Sequence, residues 1–449
     1  MQPSNKKLLA LAICLVSSSF TFASEQSDSK GLWDDSKWNA HIRSLYFSRD
    51  FKSSHYDGQS KRMAWGLGLS SIFESGFTQG TVGFGVDIWG LQGYKLDGGK
   101  GHAAASMDVT PVGESGHSAK DWSQWGGAVK ARFSNTTIKY GNQFVNLPVL
   151  TTDSSRLLPE SVTGTLLTSK EIKNLKINAG HFTALSSPHS TGHDNTGYPT
   201  AYFVGMKQLD LIGGTYNFTN DFSTSLYYAW NKDIANRAYG NLNYTYPFAN
   251  KQSVGLDFNM YYTDYDKKYV RRTSEGAIDK SINNTTWSLA AKYSIEAHAF
   301  ILAYQQVKGG WYGHGFDYGS GYGTNDGGST IWLANSYESD FNNKDEKSLQ
   351  LSYELTGNEL GIPGLAFKSA YVYGWEAQTA PQLNAPRAKE RELFNQISYI
   401  IQEGKAKDLA FKLRTTIYRA DNKFQANSDN KEVRLYVDYP LDIMAMFRK

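Results

Sequence analysis

The chain has 449 residues, with 42 glycines, 29 tyrosines and one cysteine, a mean hydropathy of −0.49 and a formal net charge of +3. Near-balanced charge gives no electrostatic case for a nucleic-acid partner, and a single thiol removes disulfide and Cys-ligated metal chemistry. No window of about 18 apolar residues lies beyond the N-terminal stretch, which excludes a helical membrane protein. A transmembrane β-barrel stays open, because its strands need only about 9–11 residues with every second one apolar.

Lys6-Lys7, the apolar run Leu8 to Val16 and Thr21-Phe22-Ala23 follow the plan of a secretory signal peptide. Residues 1–23 are therefore expected to be removed, leaving 24–449 as a single domain with no internal linker. Cys14 leaves with the signal; Ile13 is too bulky for a lipoprotein box. Losing Lys6 and Lys7 leaves 44 basic against 43 acidic residues.

Thr81-Val82-Gly83-Phe84-Gly85-Val86-Asp87 alternates apolar with small or polar residues, the period of a strand with one oily face. The same unit recurs near 38–48, 63–74, 81–91, 124–133, 136–143, 161–172, 175–185, 200–218 and 223–230. It continues near 238–247, 252–262, 285–294, 298–307, 347–356, 365–375, 393–402, 408–419 and 432–441, eighteen units in all. Tight connections such as Ser134-Asn135 and Lys173-Asn174 interleave with long ones at 49–62, 92–123, 144–160, 186–199, 263–284, 308–346, 376–392 and 420–431. Short turns at one rim, long loops at the other and an even strand count predict an all-β fold, a transmembrane antiparallel β-barrel of 18 strands. The faces agree: Val254, Leu256, Phe258 and Met260 oppose Gly255, Asp257, Asn259 and Tyr261. A soluble sandwich shows the same alternation. Aromatic pairs at strand ends, such as Tyr228 with Trp230 and Tyr373 with Trp375, favour a membrane girdle.

Ser75-Gly76-Phe77-Thr78-Gln79-Gly80 leading into Thr81–Asp87, Asn146-Leu147-Pro148-Val149-Leu150, Arg156-Leu157-Leu158-Pro159, Leu167 to Ile172 and Val437-Asp438-Tyr439-Pro440-Leu441 resemble the OprD family of substrate-specific outer-membrane porins. The resemblance implies a monomer in the outer membrane of a Gram-negative bacterium, surrounded by outer-membrane lipid and lipopolysaccharide. It also implies an inward-folded third loop and small carboxylate-containing solutes: amino acids, aromatic or other organic acids, and carbapenem-like antibiotics. No cofactor and no metal are expected.

Outward Val129, Ala131 and Phe133 send Lys130 and Arg132 into the lumen, and outward Ile138 and Tyr140 send Lys139 there. By the same alternation Lys412, Arg414 and Arg434 point inward. A file of cations in a narrow channel attracts anions and can pass a carboxylate from site to site, and the family's basic ladder falls at similar motifs. Wall-bracing salt bridges are the competing reading, since Asp257, Glu354 and Asp438 also point inward; Lys292 and Lys368 stand more isolated. The constriction is expected from about Asn142 to Thr165, with Asp153 and Glu160 facing the basic wall across a transverse field; Arg156 could instead pair with either of them. Asp317 and Tyr318, in 308–346, mark a second element near the mouth. The alternative function is an outer-membrane hydrolase built on His181, His189, His193 and Asp194, although no nucleophile motif accompanies them. The tail from Met444 runs past the last strand, and Phe447 either closes the barrel or hangs in the periplasm.

Overall fold

The computed structural model describes residues 24–52, 60–98, 109–112, 117–193, 207–266, 282–309, 332–378, 387–421 and 429–448. The expected signal, Asp194, Asp317 and Tyr318 lie outside the described residues. The strands are β1 (Lys37–Phe51), β2 (Lys61–Glu74), β3 (Val82–Asp97), β4 (Asp121–Phe133), β5 (Thr136–Gln143), β6 (Asn146–Leu147) and β7 (Leu150–Thr151). They continue as β8 (Ser161–Ser169), β9 (Leu175–Ser186), β10 (Leu209–Asn217), β11 (Phe222–Asn231), β12 (Ala235–Pro247), β13 (Gln252–Tyr265) and β14 (Ile282–Ile295). The last are β15 (His298–Gly309), β16 (Lys347–Thr356), β17 (Leu365–Ala377), β18 (Ala388–Ile400), β19 (Ala410–Ala420) and β20 (Asn430–Asp442), followed by a short helix α1 (Met444–Phe447).

Eighteen of these strands form one antiparallel sheet in which each pairs with its neighbours and β20 pairs with β1, so the sheet closes on itself; β6 and β7 pair only with each other, inside a loop. Closure leaves no unpaired strand edge in hydrocarbon, where each unsatisfied backbone group costs several kcal/mol. Every expected strand is present. Several run two or more residues further than the alternation indicated, in each such case toward the long-loop rim, as in β3 to Asp97 and β14 from Ile282.

The outer face is the oily one. Val82, Phe84, Val129, Leu226, Leu302 and Leu351 are exposed, as lipid-facing side chains are in a chain without its bilayer. Rings pair near the strand ends, Tyr228 edge-on to Trp230 at 4.5 Å and Tyr373 stacked on Trp375 at 6.0 Å.

Both ends of the described residues dock at the short-turn rim. Residues 24–36 run under the β2–β3 turn as a strap: Gln26 Nε2 donates to the carbonyls of Thr78 and Gly80, and its backbone N–H to that of Ser134. Gly83 and Gly85 face inward without side chains because the strap and turn fill that space; a Cβ on Gly83 would meet the Gln26 amide, and one on Gly85 would meet Lys130 and Ser75. The tail does not hang free. Phe447 stacks on Trp38 at 5.8 Å, and Arg448 Nη2 donates to the carbonyls of Trp33, Asp34 and Ser36.

Candidate functional site

Charged side chains line the lumen along β19, β20 and β1. Inward positions pair across strands as Arg414 with Arg434, Lys412 with Tyr436, Phe47 with Arg434, Arg43 with Asp438, and Arg49 with Glu432. Successive inward residues on one strand are about 6.8 Å apart, so these rows form steps down one wall. Arg434 Nε and Arg49 Nη2 each donate to Glu432 at 2.5 Å, while Arg43 Nε donates to Asp438 at 2.6 Å, with His41 Nε2 3.1 Å from the same carboxylate. Lys412 and Arg414 make no ion pair among the described residues. Each lies over a ring instead, Lys412 Nζ 4.1 Å from the Tyr436 centroid and Arg414 4.9 Å from that of Phe394; Arg434 likewise lies 4.2 Å from Phe47. A ring face attracts a cation while leaving its N–H edges open.

The other basic residues meet a different setting. Lys130 and Lys139 both pair with Asp87, Lys130 at 2.6 Å, and Lys130 Nζ also donates to the Ser75 carbonyl. Arg132 donates to Gln26 Oε1 at 3.0 Å and covers the Phe77 ring at 4.1 Å. All three lie in the half of β4 and β5 nearer the short turn, and Arg132 reaches the strap through Gln26. On the far side, Lys292 and Lys368 share Glu354 at 2.6 and 3.2 Å.

The loop 144–160 folds into the barrel and spans it. Val145, Leu147, Val149 and Leu150 pack on Phe182, Leu209, Leu211, Tyr239 and Tyr261, whereas Leu157 and Leu158 pack on Leu45, Phe47, Ala64, Trp89 and Trp122. Tyr261 Oη donates to the Pro148 carbonyl and Tyr436 Oη to that of Ser155, both at 3.0 Å, and Arg43 Nη1 reaches the carbonyls of Ser154 and Arg156. A cavity of about 660 Å³ opens between the loop and the wall of β1 and β2, lined by His41, Arg43, Asn146 and Asp153. The described part of the second long loop, 332–346, also lies inside: Ala334 N–H donates to Ser288 Oγ, Asn335 Nδ2 to Ser348 Oγ, and the N–H groups of Glu338 and Ser339 to the Glu392 carboxylate. Tyr337 lies tilted against Phe394 at 4.5 Å, beside Arg414. Burial pushes the Glu338 carboxyl up to about 7, against the opposing pull of Arg49 and reinforced by Glu432. Burial and the adjoining Glu390 raise Glu346 well above the usual carboxylate range.

A family model described as outer membrane porin, OprD family, matches residues 30–443. The chain belongs to the OprD family. It is 40% identical to Porin D of Pseudomonas aeruginosa, with 97% of this chain and 98% of that one covered. Among solved structures, Acinetobacter baumannii OccAB1 matches with a TM-score of 0.85 at 34% identity, covering 94% of this chain and all of that one. A BenF-like porin from Pseudomonas fluorescens Pf-5 matches at 0.80 and 30%, covering 92% of this chain and all of that one. As an OprD-family porin it is a protein of the Gram-negative outer membrane, and the hydrolase alternative falls. Its histidines fit that outcome: His181 pairs with Asp210 at 2.6 Å on exposed positions of β9 and β10, and His193 Nε2 is hydrogen-bonded to the Trp125 carbonyl.

Within this OprD-family lumen the three charged loop residues are tied to the loop itself and to the β1 wall. Glu160 is 1% exposed, and its Oε2 accepts the Asp153 N–H at 2.8 Å, closing the neck of the loop. Asp153 accepts from the N–H and Oγ of Ser155 at 2.8 and 2.6 Å, and Arg156 lies 5.8 Å over Phe47 with Nη1 on Ser155 Oγ. Arg43, Arg49, Glu432 and Glu338 were missed by the alternation rule. On β1 the apolar residues Leu45 and Phe47 point inward, because the infolded loop covers them, so the rule that apolar means lipid inverts there.

Proposed function

We propose that this porin passes small carboxylate-containing solutes along the β19–β20–β1 wall, with Arg49, Arg434, Arg414, Lys412 and Arg43 as successive steps and Lys130, Arg132 and Lys139 as a second basic group at the short-turn rim. The observation that carries the reading is the pair Lys412 and Arg414, which lie over aromatic rings and form no ion pair among the described residues, with Asp438 and Glu432 acting on them only from a distance. Neighbouring Arg43, Arg49 and Arg434 are partly neutralised. A carboxylate arriving there gains charge-assisted hydrogen bonds, and graded neutralisation on either side keeps any one step from holding it too tightly. Amino acids and aromatic acids both satisfy this chemistry. In proteoliposomes, Lys412→Ala with Arg414→Ala lowers benzoate entry about fivefold per lost contact, the equivalent of about 1 kcal/mol for a solvent-reachable ion pair, and shifts the reversal potential in a salt gradient toward cations. Unchanged entry and selectivity in the double variant would sink the proposal.

A further inference from the structure

We propose that the strap turn 31–34 and α1 together form an interfacial foot, seated in the periplasmic leaflet of the outer membrane beside the β20–β1 pair. The inward residues of β1 include Arg43, Leu45 and Phe47, so Trp38, five residues before Arg43, falls on the lipid side by the period of two. Phe73 of β2 is its direct cross-strand partner and shares that side. Both stand at the short-turn rim, which in such a barrel is periplasmic. Two rings from outside the barrel wall continue this surface: Phe447 lies parallel to Trp38, with 4° between their planes at 5.8 Å, and Trp33 lies 6.4 Å from Phe73. Their outer sides are bare. Leu32, Trp33, Met446 and Phe447 are between 44 and 62% exposed.

A helix of one turn has little stability of its own, and contacts with the strap and the wall hold α1 in place. Met444 is buried with its sulfur 3.8 Å from Ser36 Oγ, the Ile443 N–H donates to the Trp38 carbonyl at 2.8 Å, and Asp442 Oδ1 accepts the Ala445 N–H at 3.0 Å. Met446 and Phe447 are thereby left on the outside. Seating a turn at a membrane surface is costly where its carbonyls lose water without gaining a donor. Here Arg448 already donates to those of Trp33, Asp34 and Ser36, at 2.7 to 3.0 Å. Aromatic and long apolar side chains favour the interface, and a segment lying there sinks only about 5–10 Å, a depth within reach of one helical turn. Continuity selects lipid as the occupant, because the four bare side chains adjoin Trp38 and Phe73, rings that face the bilayer.

The test places a single thiol, since Cys14 lies in the expected signal and residues 24–449 contain no other cysteine. Met446→Cys and Trp33→Cys each carry an NBD label in the full barrel, refolded into phosphatidylglycerol liposomes, and Lys405→Cys on the exposed turn between β18 and β19 is the aqueous reference. Labels at 446 and 33 are expected to emit to the blue of the label at 405, to lose most of their emission to lipids bearing a nitroxide near the headgroup, and to resist iodide. The label at 405 shows the reverse. Iodide quenching at 446 and 33 equal to that at 405 would overturn the foot. So would shielding from iodide without quenching by the nitroxide lipid, the result expected if a second copy covered the patch. Heat resistance matching the parent checks that each variant is folded, and labels on two separate segments keep the test decisive if one variant fails to fold.

Discussion

Glu338 joins the second infolded loop to the basic wall. Its Oε1 accepts from Asn430 at 2.7 Å and lies 3.5 Å from Arg49, with Glu432 close by. A carboxyl whose folded-state pKa is raised from 4.5 to about 7 contributes fully to docking below pH 4.5, and that contribution is lost as pH rises through about 7. Single-channel conductance is therefore expected to rise or grow noisier between about pH 6 and 8 as the loop loosens, and Glu338→Gln should flatten that dependence; a parent channel flat across the interval would refute the link. The inward direction of Lys412, Arg414 and Arg434 was legible in the sequence because lipid-facing Phe411, Leu413 and Val433 flank them. Their partners were not. Nothing in β4 and β5 alone announces that Asp87, two residues past Gly85 on β3, takes both Lys130 and Lys139, because pairing depends on register between strands.

At the scale of elements, the loop 144–160 holds the constriction by burying apolar side chains on two separate walls. Removing most of a buried leucine costs about 2–5 kcal/mol, against loop docking rather than barrel closure. Leu158→Ser is expected to leave the heat resistance of the barrel intact and to enlarge conductance, with stronger tryptic cleavage within 144–160; a parental conductance would show that the hydrogen bonds from Tyr261 and Tyr436 hold the loop without Leu158. The sequence announced an infolded loop, since Leu147, Val149, Leu150, Leu157 and Leu158 had nowhere else to be covered. It did not announce where the loop lands. The receiving residues Leu45, Phe47, Leu209 and Leu211 look like lipid-facing positions until the loop that covers them is in place.

For the whole molecule, eighteen strands, their order and the lipid-facing set could be read from spacing and alternation, because the bilayer imposes period two on every strand at once. That uniform constraint also makes the outer face the least tolerant of charge. Leu351, near the middle of β16 and 60% exposed, should cost about 2–4 kcal/mol when replaced by arginine; the matching Gln350→Arg, on the lumen side, should cost less in folding from urea into lipid. Equal losses would contradict the assignment of faces.

A closed barrel has no edge, but it has a seam, the β1–β20 pair that joins first strand to last. Here the first and last described segments are clasped beside that seam: Phe447 lies on Trp38, Arg448 takes three carbonyls of the strap, and the strap runs on beneath β3 to the β4–β5 turn. Mechanically this is a buckle. A force applied through the strap or through α1 loads the clasp before it reaches the seam, and strands several places around the ring share the strain that would otherwise fall on a single pair.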